Sequence, residues 1–460
     1  MDARIGKTQD LWCWSCCMFS GITACLLVLA LATLVAEYRR ARRVTLLSVL
    51  TLGNLAYGAL TPAIYHFSPE SASIFGKYVR DAGVSIEDAG LLRVMLAAMI
   101  FQAVCCMVAL SGRATRDTGP TGLVDPEVIS QSITVGWALM VVGALGVVWM
   151  GVAYSGSPVG LYEVSYADRS GLSRQNSMPA FMLLLGVMGA SQLIVAYLLA
   201  GRTRMAILVL LLVALHGLGM KSKFPVFMVL LVFLAVAIGM RKNVLRLLLP
   251  IVAAGVLLMT MSVLRDVDKM SEIPGYVSAN RETLKAKLPA PWQNDVPGPA
   301  SITYFVLNSE VSAFSLEPAA EVLKLLVPRF VRERGDTLAD QWAQKMLGST
   351  YQPGMGFGWS PLCEGYLLAS WLGIAIVAFV LAMAARSIDG LRDRTQGKLR
   401  ELSMIVAYSC VPLLFLSNRE SLGALVKQLV FAGAFVWLPT WLLLARKGWS
   451  AHGGASDVNV

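Results

Sequence analysis

The stretch LWCWSCCMFSGITACLLVLALATLVA at residues 11–36, followed by EYRRARR at 37–43, decides the fold of this chain. The apolar block is long enough to cross roughly 30 Å of hydrocarbon as a helix. It is longer than the roughly 7–15 apolar residues of a signal peptide, and the arginine cluster after it is typical of a stop-transfer flank. We therefore predict that this segment is a membrane-spanning helix.

The composition extends this prediction to the whole chain. Hydrophobic residues make up 56% of the 460 residues, and only 15% are charged. The mean hydropathy is +0.63. A soluble domain carries roughly 25% charged residues, so an ordinary soluble enzyme is excluded. The sequence predicts an all-α polytopic integral membrane protein with about 11 transmembrane helices and one large outer loop that contains amphipathic helices. The predicted spans lie near residues 11–36, 44–66, 89–111, 132–153, 180–200, 205–219, 224–240, 247–264, 360–385, 402–417 and 423–445.

Basic residues follow every second span and therefore share one face of the predicted bundle. That face carries 18 Lys and Arg against eight Asp and Glu, so its net charge of +10 equals that of the whole chain. The positive-inside rule assigns such a face to the cytoplasm. We interpret the net charge as an orientation signal, predict no nucleic-acid partner, and place the N-terminus outside and the C-terminus inside.

This topology divides the chain into four parts. Residues 1–264 form the first eight spans of the membrane bundle, 265–359 a large outer loop, 360–445 the last three spans, and 446–460 a cytoplasmic tail. The outer loop contains apolar runs at 304–307 and 322–327, and the second run has helical spacing. These runs predict interfacial helices that lie over the bundle.

Charged side chains near the outer ends of the spans are the candidate functional residues. Ionisable groups cost about 2.5–3.5 kcal/mol at the bilayer centre and usually face a cavity or a partner. Snorkelling to lipid headgroups is the alternative. Arginine suits bidentate contact with phosphate oxygens, so we predict a diphosphate site at the outer membrane surface. The candidates are Lys221, Lys223, Arg265, Glu364, Arg419 and Glu420 near span ends, Arg329, Arg332 and Arg334 in the large loop, and Arg169 and Arg174 in the loop 154–179.

Spacing gives no sign of a metal site. The three histidines, His66, His216 and His452, are far apart in sequence. The C-x-x-C of Cys13 and Cys16 has no second pair. We predict no metal and no other cofactor, and we interpret the cysteines as small buried hydrophobic residues.

Four short motifs resemble those of the bacterial O-antigen polymerases of the Wzy type, the oligosaccharide repeat unit polymerases. They are Glu37-Tyr-Arg-Arg after the first span, the Gly-x-Lys-Ser-Lys turn at 219–223, Leu-Val-Pro-Arg-Phe-Val at 326–331, and the pair of outer ends at 358–366 and 417–422. The sequence departs from the family pattern at Lys221, where an arginine is usual. It departs again where Glu333-Arg-Gly-Asp follows the Pro-Arg segment.

The resemblance implies a glycosyltransferase of the bacterial inner membrane. Such an enzyme moves a growing glycan from its undecaprenyl diphosphate carrier to the non-reducing end of a new lipid-linked repeat. The implied partners are undecaprenyl-diphosphate-linked glycans, membrane lipids, a chain-length regulator and a flippase.

The resemblance also implies roles for the candidate residues. In this interpretation the arginines bind the diphosphate, and Glu310 or Glu364 orients or deprotonates the acceptor hydroxyl. The implied catalytic residues are Arg265, Arg329, Arg419, Glu310 and Glu364. The implied substrate-binding residues are Lys221, Lys223, Arg332, Arg334, Arg169, Arg174, Tyr366 and Glu420.

Two alternative functions stay open on the sequence. An O-antigen ligase has a similar bundle, but ligases typically use a histidine in the large outer loop, and none lies between residues 265 and 359 here. A lipid-linked sugar flippase or another transporter would show paired repeats and polar groups at the membrane midplane. The sequence shows no such repeat, and its charged candidates lie near the outer edge.

Overall fold

The computed structural model describes residues 3–41, 43–112, 125–162, 177–220, 222–240, 297–309, 314–327, 336–348, 358–395 and 397–453, with isolated positions at 252, 253, 256, 275, 278 and 351. The regular structure in these residues is helical, with no β-strand among them. The predicted all-α class is therefore confirmed for this part of the chain.

The first half of the described chain forms nine α-helices. They are α1 (Ala3–Ala41), α2 (Leu46–Asn54), α3 (Leu60–Phe67), α4 (Ser73–Asp81), α5 (Asp88–Leu110), α6 (Pro126–Ser155), α7 (Ser177–Leu199), α8 (Thr203–Gly219) and α9 (Lys223–Gly239). A π-helical turn at Leu55–Ala59 joins α2 to α3, so the two form one continuous rod.

The second half contributes seven more described helices. They are α10 (Pro297–Asn308), α11 (Glu317–Leu326), α12 (Leu338–Leu347), α13 (Pro361–Arg394), α14 (Gly397–Leu416), α15 (Leu422–Ala432) and α16 (Leu438–Gly453). A second π-helical turn at Gly433–Trp437 joins α15 to α16.

Eight of the described helical segments are long and apolar enough to cross a membrane. They are Cys17–Ala41, Leu46–Phe67, Asp88–Leu110, Pro126–Ser155, Met178–Leu199, Pro361–Arg394, Gly397–Leu416 and Leu422–Arg446. Helices α8 and α9 are also apolar, but each has only 17 residues. The predicted span 247–264 lies almost entirely outside the described residues, so the count of 11 spans stays a prediction.

Six helix ends meet at one end of the bundle, which we call the charged face. The C-terminal ends of α1, α5 and α13 lie there beside the N-terminal ends of α2, α6 and α14. The hydrogen bonds that join them run from Arg43 to Asp393, from the Leu46 N–H to Asp389, from Arg386 to the Val108 carbonyl, and from the Asp125 N–H to Glu401. The basic residues that follow the first and ninth predicted spans therefore share one face of the protein.

Helix α10 lies between the bundle and helix α12. Tyr304 packs into the large core of the bundle, whereas Ile302 and Val306 pack into a second core with α12 and the start of α13. The Tyr304 hydroxyl donates to the Ser85 carbonyl at 3.0 Å and accepts from the Glu87 N–H at 3.0 Å. The expectation of interfacial helices is thus wrong for α10, because both of its faces are buried.

Helices α6 and α7 pack closely against each other through facing glycines. A Cβ atom at Gly143 would lie 2.7 Å from the Cα of Gly186, and one at Gly189 would lie 2.7 Å from the Gly136 carbonyl oxygen. Small residues let helix backbones approach closely where the lipid supplies no hydrophobic drive for association. This glycine seam therefore sets the spacing of the two helices.

We expect Gly189→Ala to lower the melting temperature of the purified protein in detergent. Overpacking at such a contact costs about 1–3 kcal/mol, which outweighs the roughly 1 kcal/mol by which alanine favours a helix over glycine. Gly21→Ala is the matched control, because a Cβ there meets nothing within 4 Å. Equal melting temperatures for the two variants would contradict the close packing of α6 and α7.

Candidate functional site

Two segments far apart in sequence lie side by side and form what we call the junction. They are residues 358–364, at the start of α13, and residues 417–422, between α14 and α15. The Trp359 N–H donates to the Arg419 carbonyl at 2.6 Å, and the Leu422 N–H donates to Glu364 Oε2 at 2.8 Å. These two bonds fix the sequence-predicted Glu364 and Arg419 in one place.

Glu364 caps the N-terminus of α15 from a different helix. The first N–H groups of a helix have no partner within it, and a carboxylate is favourable there. Ser421 completes the cap by accepting from the Ala424 N–H at 3.1 Å. Glu364 is only 1% exposed. Its second oxygen, Oε1, is buried and has no hydrogen-bond partner in the part of the chain that the structure describes. One carboxylate oxygen thus holds the fold, and the Trp359 side chain lies beside the carboxyl group.

Arg419 is held by its backbone and by the close approach of Gly358. Its N–H donates to the Leu416 carbonyl at 2.7 Å. Gly358 has a φ of +74°, and a Cβ there would lie 3.1 Å from the Cγ of Arg419 and 2.8 Å from the Cγ of Pro299. Only glycine suits that position, because a side chain would collide with the arginine stem. The junction therefore fixes the backbone of Arg419 and restricts the first part of its side chain.

Glu420 lies near two cations, Arg419 beside it in the turn and Lys427 on α15. Its carboxylate accepts from Gln428 Nε2 at 2.8 Å. Burial raises the pKa of Glu420, and the charges of Lys427 and Arg419 and the Gln428 hydrogen bond act against that rise. Glu420 therefore holds a proton more readily than a surface glutamate does.

Helix α11 packs across the start of α15 and also contacts α12, so it connects α12 to the junction. A Cβ at Gly423 would lie 2.7 Å from the Cδ1 of Leu325 and 3.2 Å from the Cα of Val322. On the same helix, Glu321 Oε2 accepts from the Leu338 N–H at 3.0 Å and so caps α12. Burial raises the pKa of Glu321, opposed by that hydrogen bond and by Lys324. The sequence did not single out Glu321 or Gly423; the helical spacing of 322–327 predicted only the helix.

Helix α13 is broken one turn beyond Glu364. Ala369 and Ser370 have non-helical backbone angles, and Ser370 has a φ of 53°. The first arm folds back on the second, because a Cβ at Gly365 would lie only 2.6 Å from the Cα of Ile374. The span predicted at 360–385 lies within the candidate membrane span Pro361–Arg394, and the break divides that span into a short first arm and a longer second arm that continues to Arg394.

The carbonyl freed by this break is satisfied by a neighbouring segment. The Leu367 carbonyl accepts from the N–H groups of Phe314 and Ser315 at 3.1 and 2.8 Å. Phe314 has a φ of 91°, and among the described residues only it and Ser370 combine a positive φ with a side chain. Backbone strain costs about 1–3 kcal/mol per residue and persists where the surroundings enforce it. The strain of this part of the protein is thus concentrated beside the junction.

Tyr366 and Lys223 lie near the junction without joining it. The Tyr366 ring contacts Trp371 on the second arm of α13, with centroids 5.7 Å apart. Lys223 is the first residue of α9, whose Phe227 packs against Phe415 near the end of α14, with centroids 5.6 Å apart. The start of α9, where Lys223 lies, is therefore at the same end of the bundle as the C-terminal end of α14 and the junction.

The remaining predicted site residues lie outside the described residues. They are Arg265, Glu310, Arg329, Arg332, Arg334, Lys221, Arg169 and Arg174. Of the five that are described, the structure brings Glu364, Arg419 and Glu420 together. Across the described ranges, no group of three or more His, Cys, Asp or Glu side chains is arranged to hold a metal ion.

Comparison with known proteins supports the family that the motifs indicate. Residues 302–447 match the family model described as O-antigen polysaccharide polymerase Wzy. This match covers about a third of the chain and includes both segments of the junction. The Wzy-type resemblance is therefore confirmed. No curated protein and no solved structure matches the chain.

We expect Glu364→Ala to destabilise the protein more than Glu364→Gln does. Alanine leaves the buried Leu422 N–H without an acceptor, at a cost of about 1–3 kcal/mol. Glutamine keeps a carbonyl oxygen at the same place. Thermal unfolding of both purified variants in detergent measures the difference. Equal losses would mean that the charge of Glu364, rather than its bond to Leu422, holds the junction.

Proposed function

With the Wzy-type O-antigen polymerase family indicated over residues 302–447, we propose that this chain polymerises lipid-linked oligosaccharide repeat units into O-antigen or a related surface polysaccharide. One observation carries the proposal. Inside the matched region, two motifs about 60 residues apart in the chain converge at the junction through the Trp359–Arg419 and Leu422–Glu364 bonds.

The proposed reaction is a metal-independent glycosyl transfer. The bond between the glycan's anomeric carbon and its undecaprenyl diphosphate breaks, and a glycosidic bond forms to a hydroxyl of a second lipid-linked repeat. The hydroxyl proton passes to a base, and the lipid diphosphate leaves with the bonding electron pair. Fixed cations stabilise the charge that develops on the diphosphate. The proposed reaction therefore depends on positioned arginines and includes no covalent intermediate.

Arg419 is the described residue best placed to hold that diphosphate. Its backbone is tied to Trp359 and Leu416, and its stem lies over Gly358. An arginine whose backbone and stem are fixed loses less freedom on binding, and its guanidinium can contact two phosphate oxygens at once. Glu364 accepts a hydrogen bond from a backbone N–H rather than from a side-chain cation. It therefore does not form an ion pair with Arg419 that would neutralise the guanidinium.

The Pro-Arg segment lies outside the described residues, and its proposed role follows from its position in the sequence directly after α11. Arg329 follows Val327, the last described residue after α11, by two positions. Two residues span at most about 7 Å. The end of α11 packs on Gly423, next to the junction. We propose that Arg329 and Arg332, with Arg334, add to the diphosphate site on this basis, and that Arg265 does so from its predicted place at the end of a span.

The start of α9 adds a second positive element. A helix N-terminus attracts anions, and the N-cap residue Ser222 makes no side-chain cap there. Lys223 places a cation at this end, where the helix dipole alone would disfavour it. We propose that Lys223 and Lys221 bind the diphosphate of one lipid-linked substrate, and that Arg169 and Arg174 assist from the loop 154–179.

The carboxylates are the proposed groups that act on the acceptor hydroxyl. We propose that Glu364 Oε1, or Glu310, orients or deprotonates the acceptor hydroxyl, and that Glu420 and Tyr366 contact the sugar. General-base catalysis contributes about 10²–10⁴-fold. Because Glu364 also holds the junction, its effect on rate has to be measured on protein that has kept its fold.

We expect Arg419→Ala to abolish long-chain polymer while the protein stays in the membrane. The purified protein is incubated with a synthetic lipid-diphosphate repeat in buffer that contains a chelator, and the products are resolved by chain length. The wild type should give a ladder and Arg419→Ala only unextended repeat. Arg394→Ala is the control, because Arg394 is an exposed arginine at the other end of α13. A normal ladder from Arg419→Ala removes the junction from the proposed site, and a wild type that needs added metal removes the metal-independent mechanism.

The proposed site requires the junction side of the bundle to face the periplasm and the charged face to face the cytoplasm. Gly83 and Gly397 test this, because both are exposed and have positive φ; Gly83 lies in the turn before α5, and Gly397 is the first residue of α14. Alkaline phosphatase inserted at Gly83 should be active in cells, and the same insertion at Gly397 inactive. The reverse pattern would place the N-terminus in the cytoplasm and contradict the proposed orientation.

A further inference from the structure

An apolar groove opens between α6, α7 and α8, away from the junction. Its volume is about 340 Å³, within the roughly 300–1,000 Å³ of small-ligand pockets. Its walls include Ala144, Val147, Leu183 and Val213. Val148, on its rim, is 42% exposed, so the groove is open from the side of the bundle.

The glycine seam explains why this groove exists. Gly143 and Gly186 both line it, and their backbones touch. Two bulkier residues at these positions would force the helices apart and fill the space between them with their own side chains. The groove is therefore a consequence of the same contact that sets the spacing of α6 and α7.

The groove is polar at one end only. There the Tyr162 Oη and the His216 Nδ1 lie 3.1 Å apart. The Tyr162 ring lies against Gly219, where a Cβ would be 2.6 Å from its Cδ1. Gly219 is the last residue of α8 and Lys223 is the first residue of α9, so the polar end of the groove lies next to the connection that leads to Lys223.

We propose that this groove binds the polyprenyl chain of a lipid-linked substrate, with its diphosphate at the Tyr162–His216 end beside Lys223. The proposal rests on the proposed function and assigns the substrate lipid to one groove. An apolar tail gains little from leaving the surrounding lipid, because both environments are apolar. Selection must therefore come from the polar end, where a phosphate meets a hydrogen-bonding pair and a basic turn. A phospholipid acyl chain fits the walls but brings a different headgroup.

The test is photolabelling of the full-length protein in nanodiscs with a polyprenyl diphosphate that carries a diazirine on its terminal prenyl unit. The label should map to α6, α7 and α8. Ala144→Trp fills the groove from an exposed wall position and should reduce labelling at least tenfold. Ala138→Trp is the matched control: Ala138 is also an exposed alanine on α6, and it does not line the groove. This control should label like the wild type.

Polymerisation with a short-chain lipid substrate separates a binding defect from a folding defect. Ala144→Trp should extend a repeat on a two-prenyl diphosphate at the wild-type rate and lose activity only with the full-length lipid. Three results would each overturn the inference. The first is loss of Ala144→Trp activity with both substrates, and the second is labelling of Ala144→Trp as strong as that of the wild type. The third is labelling of the wild type that is competed by phospholipid but not by polyprenyl phosphate. A wild type that is labelled in the groove but makes no polymer would refute the proposed function and leave the lipid site standing.

Discussion

Every helix break in this protein is a place where backbone groups have to find new partners. Inside a membrane bundle no water is available to replace a lost hydrogen bond, and each unsatisfied group costs several kcal/mol. The breaks at 417–421 and at Ala369–Ser370 meet this constraint with partners distant in sequence. Glu364 accepts from Leu422, Arg419 accepts from Trp359, and Leu367 accepts from the segment 314–315. These hydrogen bonds tie the segment 314–315 and the turn 417–422 to the start of α13, where the helices are interrupted.

The same constraint separates two uses of charge. At the charged face, carboxylates bond to arginines or to helix ends, as in Glu37–Arg40 and Arg43–Asp393. At the junction, Glu364 bonds to a backbone N–H, and Glu420 bonds to the amide of Gln428. Pairing at the first place stabilises the packing of helix ends, whereas at the second place the acids stabilise a turn that carries an arginine. This difference is why we propose the junction, and not the richer charge cluster, as the substrate-binding site.

The sequence predicted most of the helices because long apolar runs have few other structures in a membrane. It also predicted Glu364, Arg419 and Glu420 as a group, because charge at a span end is costly without a partner. It could not predict the break in α13, since Ala369 and Ser370 include no proline or glycine and lie inside an apolar run. It likewise missed the burial of α10. Tyr304 meets Ser85 and Glu87 across more than 200 positions, and no local pattern encodes such a contact.

The boundary of the matched family region cuts through packed contacts. Asn418 lies inside residues 302–447, yet its side chain bonds to the Leu50 carbonyl, and a Cβ at Gly53 would meet the Phe415 carbonyl oxygen at 2.8 Å. Replacing this C-terminal third with that of another protein that carries the same family region would therefore remove the surface that its turn rests on. Such a chimera would have to carry α2 and the start of α5 along with the transplanted segment.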